Sequence, residues 1–150
     1  MATVNKVFVS REFSCSKSEL FNWLIKPELI VKWFGPKHLL IGKVNTDIRI
    51  GGNYSIELKK SNTENFFIEG EYLEVSPPDS LAFTFQYRGM NLSPPNSVVN
   101  IRLEELGENK SLLSLIHEFE FTPSDIEGRT KSWEHMFQIL GQKMKTEHFF

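Results

Sequence analysis

Two side chains able to carry charge or move a proton fall on the apolar side of alternating segments, and the chemistry of this chain would be sought there. His117 stands in phase with Leu113, Leu115, Phe119 and Phe121, so strand parity points its imidazole inward. An inward imidazole can act as a base, hold a ligand's polar group, or be a core histidine satisfied by a neighbour. With no sequence-linked partner it specifies no reaction, and the last reading is favoured. Arg11 shares a face with Val7, Val9 and Phe13. A guanidinium on that face must be paired if buried. It either draws a ligand's carboxylate or phosphate, or pairs with a surface acid at the mouth of the sheet. Together the two residues predict the polar end of a pocket, suited to an acidic or hydrogen-bond-accepting head.

The remaining candidates are weaker. Cys15 is the single cysteine, which excludes an internal disulfide, and no Cys-His signature surrounds it, so no nucleophile is expected. His38 either gates an entrance or is simply exposed. The four histidines show no two-His ligand spacing and the acidic residues form no ligand cluster, so neither a metal nor a cofactor is expected. Phosphate-cradling glycine loops and nucleophile elbows are absent from the sequence. A net charge of −2 and a pI of about 6.1, with dispersed lysines, argue against nucleic acid. The N-terminus lacks the basic flank and apolar run of a signal peptide, and no apolar run could span a bilayer. These features predict a cytoplasmic protein without a membrane partner.

The elements that position these residues follow from periodicity. From Ser124 to about Lys145, Ile126, Trp133, Met136, Phe137, Leu140 and Met144 recur at helical spacing and form one stripe, with Ser124 and Glu127 as a capping box. Most of what precedes alternates with period two. A strand is predicted over Val4–Phe13, then a short helix capped by Ser16 with Glu19 three residues on, then a second short helix over Glu28–Phe34 stopped by Gly35-Pro36. Thr46, Ile48 and Ile50 alternate into Gly51-Gly52 and on through Tyr54, Ile56 and Leu58, which reads as a hairpin. Phe66, Ile68, Gly70 and Tyr72 share a face before the phase shifts to Leu73 and Val75, which predicts a bulge with Gly70 at the bend. Segments containing Leu81–Tyr87, Val99–Leu103 and Leu113–Phe121 complete the strands. One strand, two short helices, an antiparallel series and a long helix make an α+β pattern. Over 150 residues this is one domain, 1–150, in which roughly 68–70% of the unfolded surface can be buried.

The rings decide how that core is used. Thirteen Phe with 3 Trp and 3 Tyr either fill a thick core or line a cavity. Trp33, Phe34, Tyr54, Tyr72, Phe83, Phe85, Trp133 and Phe137 are the candidate lining, and any one of them singly reads as core.

Three runs carry a resemblance: Pro27 followed by Trp33-Phe34-Gly35-Pro36, then Asp47-Ile48-Arg49-Ile50-Gly51-Gly52-Asn53-Tyr54, then Gly70-Glu71-Tyr72-Leu73-Glu74-Val75-Ser76-Pro77. With Leu115-Ile116-His117-Glu118 and Trp133, they resemble the family of activator of heat-shock protein 90 ATPase homologue-like proteins. That family lies in the START-like, birch-pollen-allergen-like (SRPBCC) superfamily. The resemblance implies a helix-grip fold, a curved antiparallel sheet around a long C-terminal helix, with an apolar cavity between them. Three departures stand out: Ser132-Trp133 where the family often has Gly-Trp, Trp23 where a small residue is commoner, and His117-Glu118-Phe119 in place of His-x-Gly. A large ring at position 23 predicts a smaller or reshaped cavity. The reading that follows is binding of a small apolar or amphipathic molecule by Arg11, His117 and the eight rings. The alternative is a co-chaperone-like module that contacts the heat-shock protein 90 ATPase. A cyclase- or hydrolase-like enzyme is a third reading with less behind it.

Overall fold

The structure, a computed structural model, describes residues 5–35, 39–59, 65–89, 97–119 and 123–147. In chain order the elements are β1 (Asn5–Phe13), α1 (Lys17–Ile25), α2 (Pro27–Ile30), β2 (Leu40–Thr46), β3 (Asn53–Lys59), β4 (Asn65–Ser76), β5 (Ser80–Arg88), β6 (Ser97–Gly107), β7 (Lys110–Phe119) and α3 (Pro123–Glu147). The strands form one curved antiparallel sheet in the order β1-β7-β6-β5-β4-β3-β2, and α3 lies along its concave face in the helix-grip arrangement.

Period-two alternation gives each strand one buried face. Val7, Val9 and Phe13, then Tyr54, Ile56 and Leu58, then Val99, Ile101 and Leu103, then Leu113, Leu115 and His117 all point into one core. The stripe on α3 closes it. Trp133, Met136, Phe137, Leu140 and Met144 are buried while Glu134, Gln138 and Lys145 on other faces are exposed. Each fully buried ring or branched chain stabilises by about 1.5–3 kcal/mol, so this stripe fixes the helix against the sheet.

Ser16 caps α1 as its sequence pattern predicts, its Oγ accepting from the Glu19 N–H at 3.2 Å. Four expectations need correction. Regular helix in α2 ends at Ile30, and the chain reaches Phe34 through tighter turns closed on Leu29 and Ile30 carbonyls. Gly35 then takes φ +125°, a conformation that side chains rarely allow, and ends the segment. Strand β2 runs over Leu40–Thr46, and residues 47–52 form the turn. The Asp47 carbonyl accepts from Arg49, and the Arg49 carbonyl accepts from Gly52. Ile48 and Ile50 continue a period-two pattern inside a loop, where Ile50 is left 70% exposed. The bulge in β4 sits between Tyr72 and Glu74 rather than at Gly70. Finally, α3 takes in Pro123 and Ser124, so Ser124 is a helical residue and not the N-cap.

Candidate functional site

The core under the lid, formed by α2 and the turn through Gly35, is built of rings. Trp33 and Phe34 hang from the lid, 5.4 Å apart between ring centres, and meet α3 through Phe137 at 6.1 Å and Trp133 at 6.0 Å. Opposite them Tyr54, Tyr72 and Phe83 form a mutually contacting triad with ring centres 5.3–6.3 Å apart. Most of these pairs are tilted or edge-to-face, the arrangement that opposes a ring's positive edge to its neighbour's negative face.

What the rings leave open is a cavity of about 30 Å³, lined by the lid residues Ile30, Trp33 and Phe34, by Trp133 of α3, and by Tyr54, Tyr72 and Phe83 among the sheet residues. That volume accommodates a water or two, far below the roughly 300–1,000 Å³ of a small-molecule site. The Trp23 ring does not line the cavity but faces the Lys32 ammonium at 5.8 Å, and its carbonyl accepts from Trp33 Nε1 at 3.0 Å. The lid rings and the tyrosine triad form the wall directly.

Tyr54 reaches across Gly70 to donate to the Thr84 carbonyl at 2.6 Å. A Cβ at position 70 would collide with that same carbonyl oxygen, so the tyrosine's position depends on a glycine on the neighbouring strand. Burial pushes the phenols of both Tyr54 and Tyr72 upward, and they remain protonated donors. The Tyr72 hydroxyl makes no hydrogen bond with any other described residue. It is an unspent donor on a residue that lines the cavity.

His117 lies just beyond this cage, fully buried, in a chain of directed bonds. Indole can only donate, so Trp133 Nε1 donates to Nδ1 at 3.2 Å and the imidazole proton must sit on Nε2. Nε2 then donates to Ser97 Oγ at 2.6 Å, and the serine passes its own proton to the Phe85 carbonyl at 2.8 Å. Burial, with a smaller contribution from Arg129, lowers the imidazole to about 3, so it is neutral near pH 7. Both ring nitrogens are spent on the fold. His117 is thus the satisfied core histidine favoured by its sequence context, and it ties α3 to β5 and β6.

The structure separates the predicted site residues into groups. Trp33, Phe34, Tyr54, Tyr72, Phe83 and Trp133 share the cavity wall. Phe85 and Phe137 stand behind that wall, 5.9 and 5.6 Å from Trp133. Arg11 is elsewhere. It has the expected strand parity but is exposed at the far end of α3, beside Glu12, Phe13, Cys15, Glu19, Gln138, Gln142 and Lys145. Parity sets the face of a strand and not its burial, and position 11 borders the groove between the edge strand β1 and the last turns of α3. Arg11 and His117 therefore do not form one polar end. His38 and Phe121 lie outside the described residues. Cys15 is buried and its thiol is pushed up to about 12, which leaves no thiolate for chemistry.

Two residues at this site escape sequence reasoning. Ser97 shares inward parity with Val99 and Ile101, and a hydroxyl at such a position asks for a partner. Arg129 sits on the apolar stripe of α3, three residues after Ile126 and four before Trp133, a cation among apolar positions. Among the described residues no group of three or more His, Cys, Asp or Glu could hold a metal, and no helix is long and apolar enough to cross a membrane.

The chain has no match among functionally curated proteins. Solved structures share its architecture. A protein from Nitrosomonas europaea, NE0264, is 21% identical with a TM-score of 0.78 over 97% of each chain. The AHSA1 protein from Silicibacter pomeroyi is 22% identical with a TM-score of 0.77 over 96% of this chain and 100% of its own. CV1439 from Chromobacterium violaceum is 21% identical, also at 0.77, over 92% of this chain and 96% of its own. At such identities the likeness establishes the fold. A family model, however, matches residues 14–145, nearly everything from the loop after β1 to the last turns of α3. The chain belongs to the family described as Activator of Hsp90 ATPase homolog 1-like protein, within the SRPBCC superfamily.

Proposed function

We propose that this chain binds a small apolar or amphipathic molecule between the lid, the concave face of the sheet and α3, and that the lid moves outward to admit it. The observation that carries this reading is an almost wholly apolar wall to which Tyr72 contributes, with Ile30, Trp33 and Phe34 supplied by one short segment. A cavity of about 30 Å³ is the closed form. Swinging out the two lid rings would open space of ligand size, and a bound apolar body would replace the ring contacts it displaces. Among the described residues the lid's polar ties to the rest of the fold are few. They include the Trp33–Trp23 bond, the Gly35 N–H to Met136 Sδ at 3.2 Å, and Lys32 bound to both Glu147 oxygens at 2.7 Å.

The small closed volume also supports a second reading, a co-chaperone-like module that contacts the heat-shock protein 90 ATPase through its surface. An enzymatic role in the cyclase or hydrolase manner has less support, because both nitrogens of His117 are engaged and no second perturbed group converges on them.

Titration with a fluorescent fatty-acid analogue tests the first reading. Saturable binding accompanied by a change in tryptophan emission is expected, since Trp33 and Trp133 line the cavity. A flat tryptophan signal without a saturable probe response, together with a measurable effect on the chaperone's ATPase, would favour the second.

A further inference from the structure

The first half of α3 carries a cation that the ring cage does not require. Arg129 is half-buried one turn before Trp133. Its Nη1 donates to the Tyr87 hydroxyl at 2.7 Å, and its Cζ stands 4.9 Å from the centre of the Tyr87 ring and 5.8 Å from that of Phe85. The rings stabilise the charge from their faces but do not neutralise it. Arg88, the residue after Tyr87 on β5, is paired with Glu69 at 3.0 Å; Arg129 pairs with no carboxylate among the described residues. A guanidinium has five N–H donors, and here only one makes a hydrogen bond among the described residues. The Tyr87 oxygen accepts from Arg129, so its own proton remains to be given, and none of the described residues takes it. Two sets of donors thus converge with no acceptor between them among the described residues. A partly desolvated cation in that position favours an anion with more than one oxygen.

The place is as informative as the chemistry. Trp133 forms part of the wall of the ring-lined cavity on one side. On the other it borders a gap of about 10 Å³ shared with Arg129, Tyr87, Ser132 and Gly35. Gly35 is also where the lid ends. We infer that Arg129 and Tyr87 form an oxyanion subsite for the carboxylate or phosphate head of the molecule whose apolar body enters beneath the lid. This rests on the ligand-binding reading above, and it moves the polar end of the site from Arg11 to Arg129. His117 contributes no charge there, because it is held neutral inside the fold.

Calorimetric titration of decanoate, decyl phosphate and methyl decanoate into wild type, Arg129→Met and Tyr87→Phe tests it, with thermal melts confirming that each variant folds. The anions are expected to bind wild type about tenfold more tightly than the ester, the effect of a charged hydrogen bond. Arg129→Met should erase that preference and leave the ester's affinity in place, and Tyr87→Phe should reduce the preference by roughly threefold. Whichever anion binds more tightly identifies the head. Equal affinity for decanoate and its ester in wild type, or a preference that survives Arg129→Met, overturns the subsite and leaves the cavity standing. If none of the three binds wild type, the ligand-binding reading falls. Titration of acetate and inorganic phosphate, followed at the Arg129 Nε–H by NMR, then decides the subsite alone: a saturable shift retains it and an unmoved resonance ends it.

Discussion

The two ends of α3 face spaces of opposite character. Toward its N-terminal half, beneath the lid, lies a cavity of about 30 Å³ walled by rings and branched chains. Toward its C-terminal end lies a larger groove of about 570 Å³ where Arg11, Glu12, Glu19, Gln138, Gln142 and Lys145 surround Phe13 and Cys15. Volume alone would choose the groove. The physical argument favours the cavity for an apolar body, because charged and amide side chains are interspersed through the groove wall and keep it wet, whereas the cavity wall carries almost no polar surface. Space is scarce under the lid because apolar side chains fill any gap they can reach. Phe137 joins the two regions, its ring 6.4 Å from Phe13 on the groove side and 6.1 Å from Trp33 on the lid side.

The sharpest way to break this picture is at that joint. Phe137 is fully buried, so Phe137→Ala should cost about 3–5 kcal/mol. His135→Ala, on a less buried face of the same helix, should cost no more than about 0.5 kcal/mol. Denaturant melts of both variants provide the check, and equal losses would mean that α3 does not grip the sheet through its apolar stripe.

The lid end has a second signature, in pH. His117 falls from the usual 6.5 to about 3 on folding. Between those values the unfolded chain binds a proton that the folded chain refuses. The stability associated with the neutral imidazole is therefore complete above pH 6.5 and drains away as pH falls toward 3. From pH 7 to pH 5 this single group should remove roughly 2 kcal/mol, largely before the carboxylates titrate. His117→Gln should flatten that part of the profile in melts across the same range. A wild-type profile level from pH 7 to pH 5 would refute the buried relay.

Sequence patterns are most informative where one residue's position can be judged from its own segment. Alternation found β1, β3 and β5 to β7, and helical spacing found the stripe of α3, because burial of a repeating face is a local pattern with a global cause. It failed where backbone hydrogen bonding overrode the pattern. Ile48 and Ile50 keep the strand period inside a turn closed by Asp47, Arg49 and Gly52. At the site, the rings and the inward His117 were visible from parity. Their partners were not, since Ser97 and Trp133 lie twenty and sixteen residues away on other elements and only the sheet order brings them together. Arg11 shows the opposite failure. Parity gives its face, but the gap that α3 leaves beside it, lined by Gln138, Gln142 and Lys145, depends on how the helix packs against the edge strand, which no spacing within β1 records.

The smallest expected effect tests the groove itself. Gly141 lies on the groove side of α3, where an added Cβ would meet the Phe13 ring at 3.8 Å, an ordinary contact. Nothing is displaced, and alanine gives up less backbone entropy than glycine in a helix interior. Gly141→Ala should therefore stabilise the fold by about 0.5–1 kcal/mol. If the groove is only a hydrated seam between α3 and the end of β1, the added methyl should leave decanoate affinity unchanged, as should Arg11→Met. The lid end would behave otherwise, because Phe34→Ala removes a wall of the cavity and should alter binding even where the fold tolerates it. Paired melts and titrations of the three variants make the distinction. Should Gly141→Ala stabilise the protein yet abolish binding of decanoate, the ligand would have to sit against the far end of α3, and the assignment of the two spaces would be reversed.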